Sequence, residues 1–212
     1  MNYLKVFGIL MIILLCIAMI IAGAFTIFTT VTNENDTNYT LSEQGERDPY
    51  ILLESDENDI RTLAERGYAW AQTDLGFMYY VGEEVPLNYE QTVYWYRLAA
   101  AQGYARAQAN LGFMYRNGLG VTQDYEQAVH WYRLAAEQDN EWAQANLGFM
   151  YYIGQGVPQN YEQAVYWTRS AAELGDAIAQ HNLGYLYEHG IGVTQSYEQA
   201  EYWYNLSNSQ TN

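Results

Sequence analysis

Cysteine is almost missing from this chain. The one copy, Cys16, lies inside an apolar N-terminal run. The rest of the protein can therefore form no disulfide, no cysteine-ligated zinc site and no thiol nucleophile, and cysteine usage leaves oxidising and reducing compartments equally open. Lysine is nearly absent as well. Nine basic residues face 25 acidic ones, for a formal net charge of −16. Nucleic-acid binding needs clustered Lys or Arg to neutralise phosphates, and docking on anionic lipid needs the same, so the composition argues against both. The charge is compatible with a basic partner, or simply with solubility. Histidine occurs three times, and no Ser/His/Asp arrangement can be assembled around it.

Aromatic residues are abundant instead, with 22 Tyr, 6 Trp and 6 Phe, and half of all residues are hydrophobic. One block of that apolar content is the uncharged run from Val6 to Phe28. As a helix it would be roughly 35 Å long, enough for a bilayer core of about 30 Å. Lys5 precedes it, while Glu34 and Asp36 follow. The positive-inside rule then exports the remainder of the chain. A cleaved signal peptide competes with the anchor, since Ala22–Gly23–Ala24 is a small-residue cleavage pattern. The reading is thus residues 1–32 as an anchor or uncleaved signal. The localisation is single-pass, with the folded part on the periplasmic or extracellular side; the alternative is a secreted or periplasmic protein cleaved near Ala24. From Glu34 to Arg66 ten acids stand against three bases. Residues 33–55 read as an acidic tether without periodicity.

The remainder repeats one text with a period of 36. Leu75, Leu111, Leu147 and Leu183 mark it, each followed by Gly76, Gly112, Gly148 or Gly184, then by Tyr79, Tyr115, Tyr151 or Tyr187. Trp95, Trp131, Trp167 and Trp203 close the units. In each unit apolar residues three and four apart predict a first helix, A. A glycine inside helix A costs about 1 kcal/mol of propensity, so its recurrence points to close helix–helix approach. Gly82, Gly118, Gly154 and Gly190 fit the left-handed stop of helix A. Asn88, Asp124, Asn160 and Ser196 are capping residues for a second helix, B. Such a pair cannot bury both faces, so the pairs must stack. Ile60, Leu63 and Ala64 read as half a unit, a helix B without its helix A. Ser207 and Asn208, in place of the Ala-Ala of the other units, suit a terminal face without a neighbour.

The stretch AQANLGFMYRNGLGVTQDYEQAVHWYRLAA, residues 107–136, resembles the Sel1-like repeat, a relative of the tetratricopeptide repeat with a longer inter-helix loop. The resemblance covers about 57–207. It implies an all-α, right-handed superhelical solenoid of antiparallel helix pairs, here preceded by a transmembrane helix. The solenoid would occupy 56–208, with a partial cap helix and then units 67–102, 103–138, 139–174 and 175–208. Departures are Glu84 for the second loop glycine, Thr92 for an alanine and Thr168 for a tyrosine. The resemblance further implies a non-enzymatic adaptor, without cofactor or metal, that assembles proteins.

Register on the Leu-Gly pair carries the family's concave positions onto Asp74, Asn110, Asn146 and Asn182, and onto Tyr80, Arg116, Tyr152 and Glu188. An asparagine amide both donates and accepts, so a ladder of them suits a peptide backbone. The expected partner is a protein or peptide, of basic character where charge selects it. The competing readings are a structural component of a cell-envelope assembly that uses the solenoid's edges or convex face, and a repeat-based hydrolase relying on His181 or His189. His130 lies where neighbouring units carry Tyr94 and Tyr166, a swap expected of a surface position.

Overall fold

A computed structural model describes residues 59–82 and 84–209. The expected anchor at 6–28 and the tether at 33–55 lie outside the described residues. Among those described, no helix is long and apolar enough to cross a membrane. The regular elements are all helices: α1 (Ile60–Glu65), α2 (Ala69–Val81), α3 (Tyr89–Ala101), α4 (Ala105–Asn117), α5 (Tyr125–Ala136), α6 (Glu141–Ile153), α7 (Tyr161–Glu173), α8 (Ala177–His189) and α9 (Tyr197–Ser209). Even-numbered members are the A helices of the four units, and α3, α5, α7 and α9 are the B helices.

Local chemistry sets the helix ends. The backbone N–H groups of Gln91, Gln127 and Gln163 donate to the side chains of Asn88, Asp124 and Asn160 at 3.0 Å, satisfying a donor that the first turn would leave open. Each A helix stops at a left-handed glycine, Gly82, Gly118, Gly154 or Gly190. Inside helix A, Leu75, Leu111, Leu147 and Leu183 are fully buried. The mid-helix glycines sit where the unit's two helices come closest. A Cβ on Gly112 would stand 2.9 Å from the Tyr132 ring, and one on Gly184 would meet Tyr204 at 2.8 Å. In the third unit the facing residue is Thr168, whose hydroxyl lies 2.6 Å from the same point on Gly148. The tyrosine-to-threonine change therefore keeps the close approach.

Each B helix packs on its own A helix, and α3, α5 and α7 also pack on the A helix of the next unit. Successive A helices also touch through side chains. Tyr80 meets Phe113 edge-on at 6.0 Å, Phe113 meets Trp142 at 5.9 Å, and the Arg116 guanidinium lies 5.0 Å from the Phe149 ring centre. The A helices thus form the inner row of the stack and the B helices the outer row. At the front, α1 supplies Leu63 and Ala64 against Ala71 and Leu75, in the manner of a truncated helix B. At the rear, Ser207 departs from expectation. It is buried, and its hydroxyl donates to the Ala177 carbonyl at 2.7 Å, so it faces the unit's own helix A rather than the open end. The polar end face is carried by Asn208 and by Glu201, which stands where the other units bury Val93, Val129 and Val165.

The second loop glycine locks neighbouring units. A Cβ on Gly120 would collide with the Tyr89 carbonyl at the start of the preceding B helix, and one on Gly156 with that of Tyr125. Glu84 holds the same left-handed backbone in the first unit, with φ of 61°. Gly103, also left-handed at φ +85°, has open space around it. Gly103→Ala should therefore cost only the backbone strain, about 1 kcal/mol. Gly120→Ala should cost about 1–3 kcal/mol more, from overpacking against a carbonyl that cannot swing away. Urea midpoints of the two variants measure the difference.

Candidate interaction surfaces

Two sets of repeated hydrogen bonds build the seam between units. Buried Gln72, Gln108, Gln144 and Gln180 each donate through Nε2 to a carbonyl at the end of the preceding helix B: Ala64, Ala100, Ala136 and Ala172, at 3.1–3.3 Å. This satisfies carbonyls that the helix end leaves open. Arg61, Arg97, Arg133 and Arg169 reach from helix B, or its truncated copy, to the hydroxyls of Tyr79, Tyr115, Tyr151 and Tyr187 on the next helix A, at 3.3, 2.7, 2.9 and 2.6 Å. Neither role is apparent from one unit read alone. The available signal was the recurrence of the same letter at the 36-residue period.

One defect follows the same register. Gln102 donates to the Gln72 Oε1, and Gln138 to that of Gln108, both at 2.8 Å. The next residue in that register is Leu174, which is exposed, and the Gln144 Oε1 is buried without a partner. Leu174→Gln should supply the missing donor and raise stability by about 0.5–1.5 kcal/mol, read as a higher denaturant midpoint with an unchanged m-value.

The inner row accounts for most of the expected groove residues. Asp74 is ion-paired with Arg106 at 2.8 Å. Asn110 lies beside the hydroxyl of buried Tyr96. Asn146 accepts from Arg116 at 2.8 Å while its own amide donates to the Trp142 carbonyl at 2.8 Å. Glu188 accepts from the Tyr204 hydroxyl at 2.7 Å. Tyr80 packs among Phe77, Tyr89 and Phe113, and Tyr152 against Tyr161. Asn182 is exposed. Aromatic and arginine side chains that vary between copies thus converge on this surface, and several polar ones are already engaged across the unit boundaries.

Burial governs the tyrosines of the same region. It pushes the phenols of Tyr96 and Tyr132 above their ordinary value near 10, with neighbouring Arg106 and Arg116 respectively drawing them partly back. Burial, followed by the bond to Glu188, pushes Tyr204 up to about 12. A raised phenol binds its proton more tightly folded than unfolded. Its contribution to stability is whole below pH 10 and is lost as pH climbs through 10 towards 12 and above. The melting temperature should hold up to about pH 10 and fall beyond it, with the last phenolate absorbance appearing only as helicity is lost.

The outer row has a different character. Tyr94, Tyr166 and Tyr202 are 52%, 57% and 55% exposed at equivalent places on α3, α7 and α9, and exposed His130 takes that place on α5. Each ring stands edge-on to the tryptophan that follows it, with centroids 4.9–5.1 Å apart. One turn earlier lie Glu90, Glu126, Glu162 and Glu198, all exposed. The remaining histidines rest on tyrosines, His181 on Tyr204 and His189 on Tyr185. Among the described residues no group of three His, Cys, Asp or Glu could hold a metal.

Stacked helix pairs in strict register, with side chains that vary between copies on both the inner and the outer row, define an all-α repeat solenoid. The Sel1 repeat family model matches residues 71–104, 105–140, 143–176 and 177–212. The chain belongs to the Sel1 repeat family. The crystal structure of a protective antigen present in uropathogenic Escherichia coli strains is 42% identical, with a TM-score of 0.71 over 75% of this chain and 34% of that one. A Sel1 repeat protein from Oxalobacter formigenes is 35% identical, with a TM-score of 0.66 over 74% of this chain and 63% of its own. The present chain thus spans about a third of the first relative's length and less than two thirds of the second's. A search of curated proteins finds no match.

Proposed function

We propose that this protein is a scaffold component of an assembly at the cell envelope, held there by residues 6–28 and the acidic tether at 33–55, and that it docks its partner on the outer face of the solenoid. One observation carries the choice of face. On the inner row Asp74, Asn146, Arg116 and Glu188 already bond to neighbouring helices, while the outer row leaves half-exposed aromatic rings at the same place in successive units. An incoming peptide on the inner side would have to displace internal bonds, whereas one on the outer side displaces only water. Export is supported by the uncharged run of 23 residues. The likeness to an E. coli protein described as a protective antigen is in keeping with it.

A second reading keeps the inner row as a peptide groove. It is favoured towards the C-terminal end, where Asn182 and Tyr185 on α8 are exposed and Tyr152 lies nearby. The two readings separate in a crosslinking capture from native membranes, performed with the full chain. Variants carrying Tyr80→Ala, Tyr152→Ala and Asn182→Ala should retain the crosslinked partner at the wild-type level. Loss of the partner in these folded variants would move the docking surface to the groove. Absence of any specific partner for the wild-type chain would overturn the scaffold reading itself.

A further inference from the structure

We propose that the outward row of the B helices is a docking strip for a lysine- and arginine-rich protein segment, which places one basic side chain against each unit. This rests on the outer-face reading above and names the partner's chemistry.

The unit of the strip is a carboxylate and a ring one helical turn apart. Glu90 precedes Tyr94 by four residues, and the same offset recurs in the three later units, with His130 replacing tyrosine once. Residues four apart share a helix face, so each acid flanks its ring. The carboxylates of Glu90, Glu126, Glu162 and Glu198 form no ion pair among the described residues; the two pairs found there join Arg106 to Asp74 and His189 to Glu188. Among the described residues no cation of the chain pairs with these acids. Its arginines nearest the rings, Arg97, Arg133 and Arg169, are each bonded to a tyrosine hydroxyl of the next unit.

A tyrosine face attracts a guanidinium or ammonium group, and an adjacent carboxylate completes the attraction. Each ring is already held against its tryptophan at about 5 Å, so little freedom is lost on binding. The charge also excludes competitors. Four unpaired carboxylates repel phosphates and acidic peptides, and they add nothing to the capture of a neutral glycan. Any single contact on so exposed a surface is weak. The repeat sets several in one line, and their effects combine along a single chain.

The test uses the full chain in detergent and a fluorescent peptide with Lys or Arg at every third position, separated by Gly and Ser. Controls are the peptide with Gln, and the peptide with Glu, in place of the basic residues. Anisotropy should show binding of the basic peptide alone, weakening as salt rises. The combined Glu90→Gln, Glu126→Gln, Glu162→Gln and Glu198→Gln variant should lose about tenfold in affinity. So should the combined Tyr94→Ala, Tyr166→Ala and Tyr202→Ala variant, with the far-ultraviolet spectrum and melting temperature confirming the fold in each. A matched variant with Glu65→Gln, Glu137→Gln, Glu141→Gln and Glu173→Gln removes the same charge elsewhere and should bind like wild type. Equal losses in the two charge variants would mean that bulk charge, not the strip, attracts the peptide, and would overturn the proposal. Binding of the Gln peptide as tightly as the basic one would overturn it too. In the membrane capture, a partner retained by the strip variants would sink the strip while leaving the scaffold reading standing.

Discussion

The structure depends on the seam where helix B of one unit meets helix A of the next. A helix pair buries one side of each helix internally and leaves apolar surface on the other. Only a following unit can cover it. Beside larger residues such as Val93, Leu111 and Met114, the apolar part of the seam holds a row of small side chains, Ala99, Ala100, Ala135, Ala136, Ala171 and Ala172, all buried. Small side chains let backbones approach, and close approach brings the Gln and Arg bonds within reach. The glutamines then satisfy carbonyls that every helix end leaves open, and the arginines tie down tyrosine hydroxyls. Packing and polar satisfaction reinforce each other at each boundary, which makes the boundary specific as well as cohesive.

That seam also explains how the scarce positive charge is distributed. Among the described residues, arginines sit mostly between units, at 61, 97, 133 and 169 in the hydroxyl series and at 106 and 116 on the inner row. Cations used to join units are not free to neutralise surface acids. The outer face is therefore negative and aromatic as a consequence of how the units are fastened. Stability and surface character are two outcomes of one allocation of side chains.

Much of the fold was legible because the repeat supplies its own controls. Four copies of Leu-Gly at one spacing identified the close approach of two helices, and the facing tyrosines at 96, 132 and 204 confirm it. Caps and left-handed glycines were legible because their chemistry is local. Ser207 was misjudged because a serine in an alanine position reads as exposed. Its hydroxyl instead finds a carbonyl thirty residues away, which no local pattern announces. The expected inner residues were placed by register alone. Register locates a position but cannot say whether its side chain is already bonded, as Asp74 is to Arg106 across 32 residues.

By itself, then, the sequence determined the period, the helix pair and the stacking, because these follow from spacing, propensity and the need to cover apolar faces. It also determined what the repeats lack, namely thiols and clustered cations. Only the tertiary structure decided which repeated letters fasten units together and which remain on the surface. Gln72 and Gln91 look alike in the text, yet one is buried under a helix end and the other is exposed beside a cap. The difference lies in contacts between residues far apart in the chain, and those distances exist only once the units have stacked.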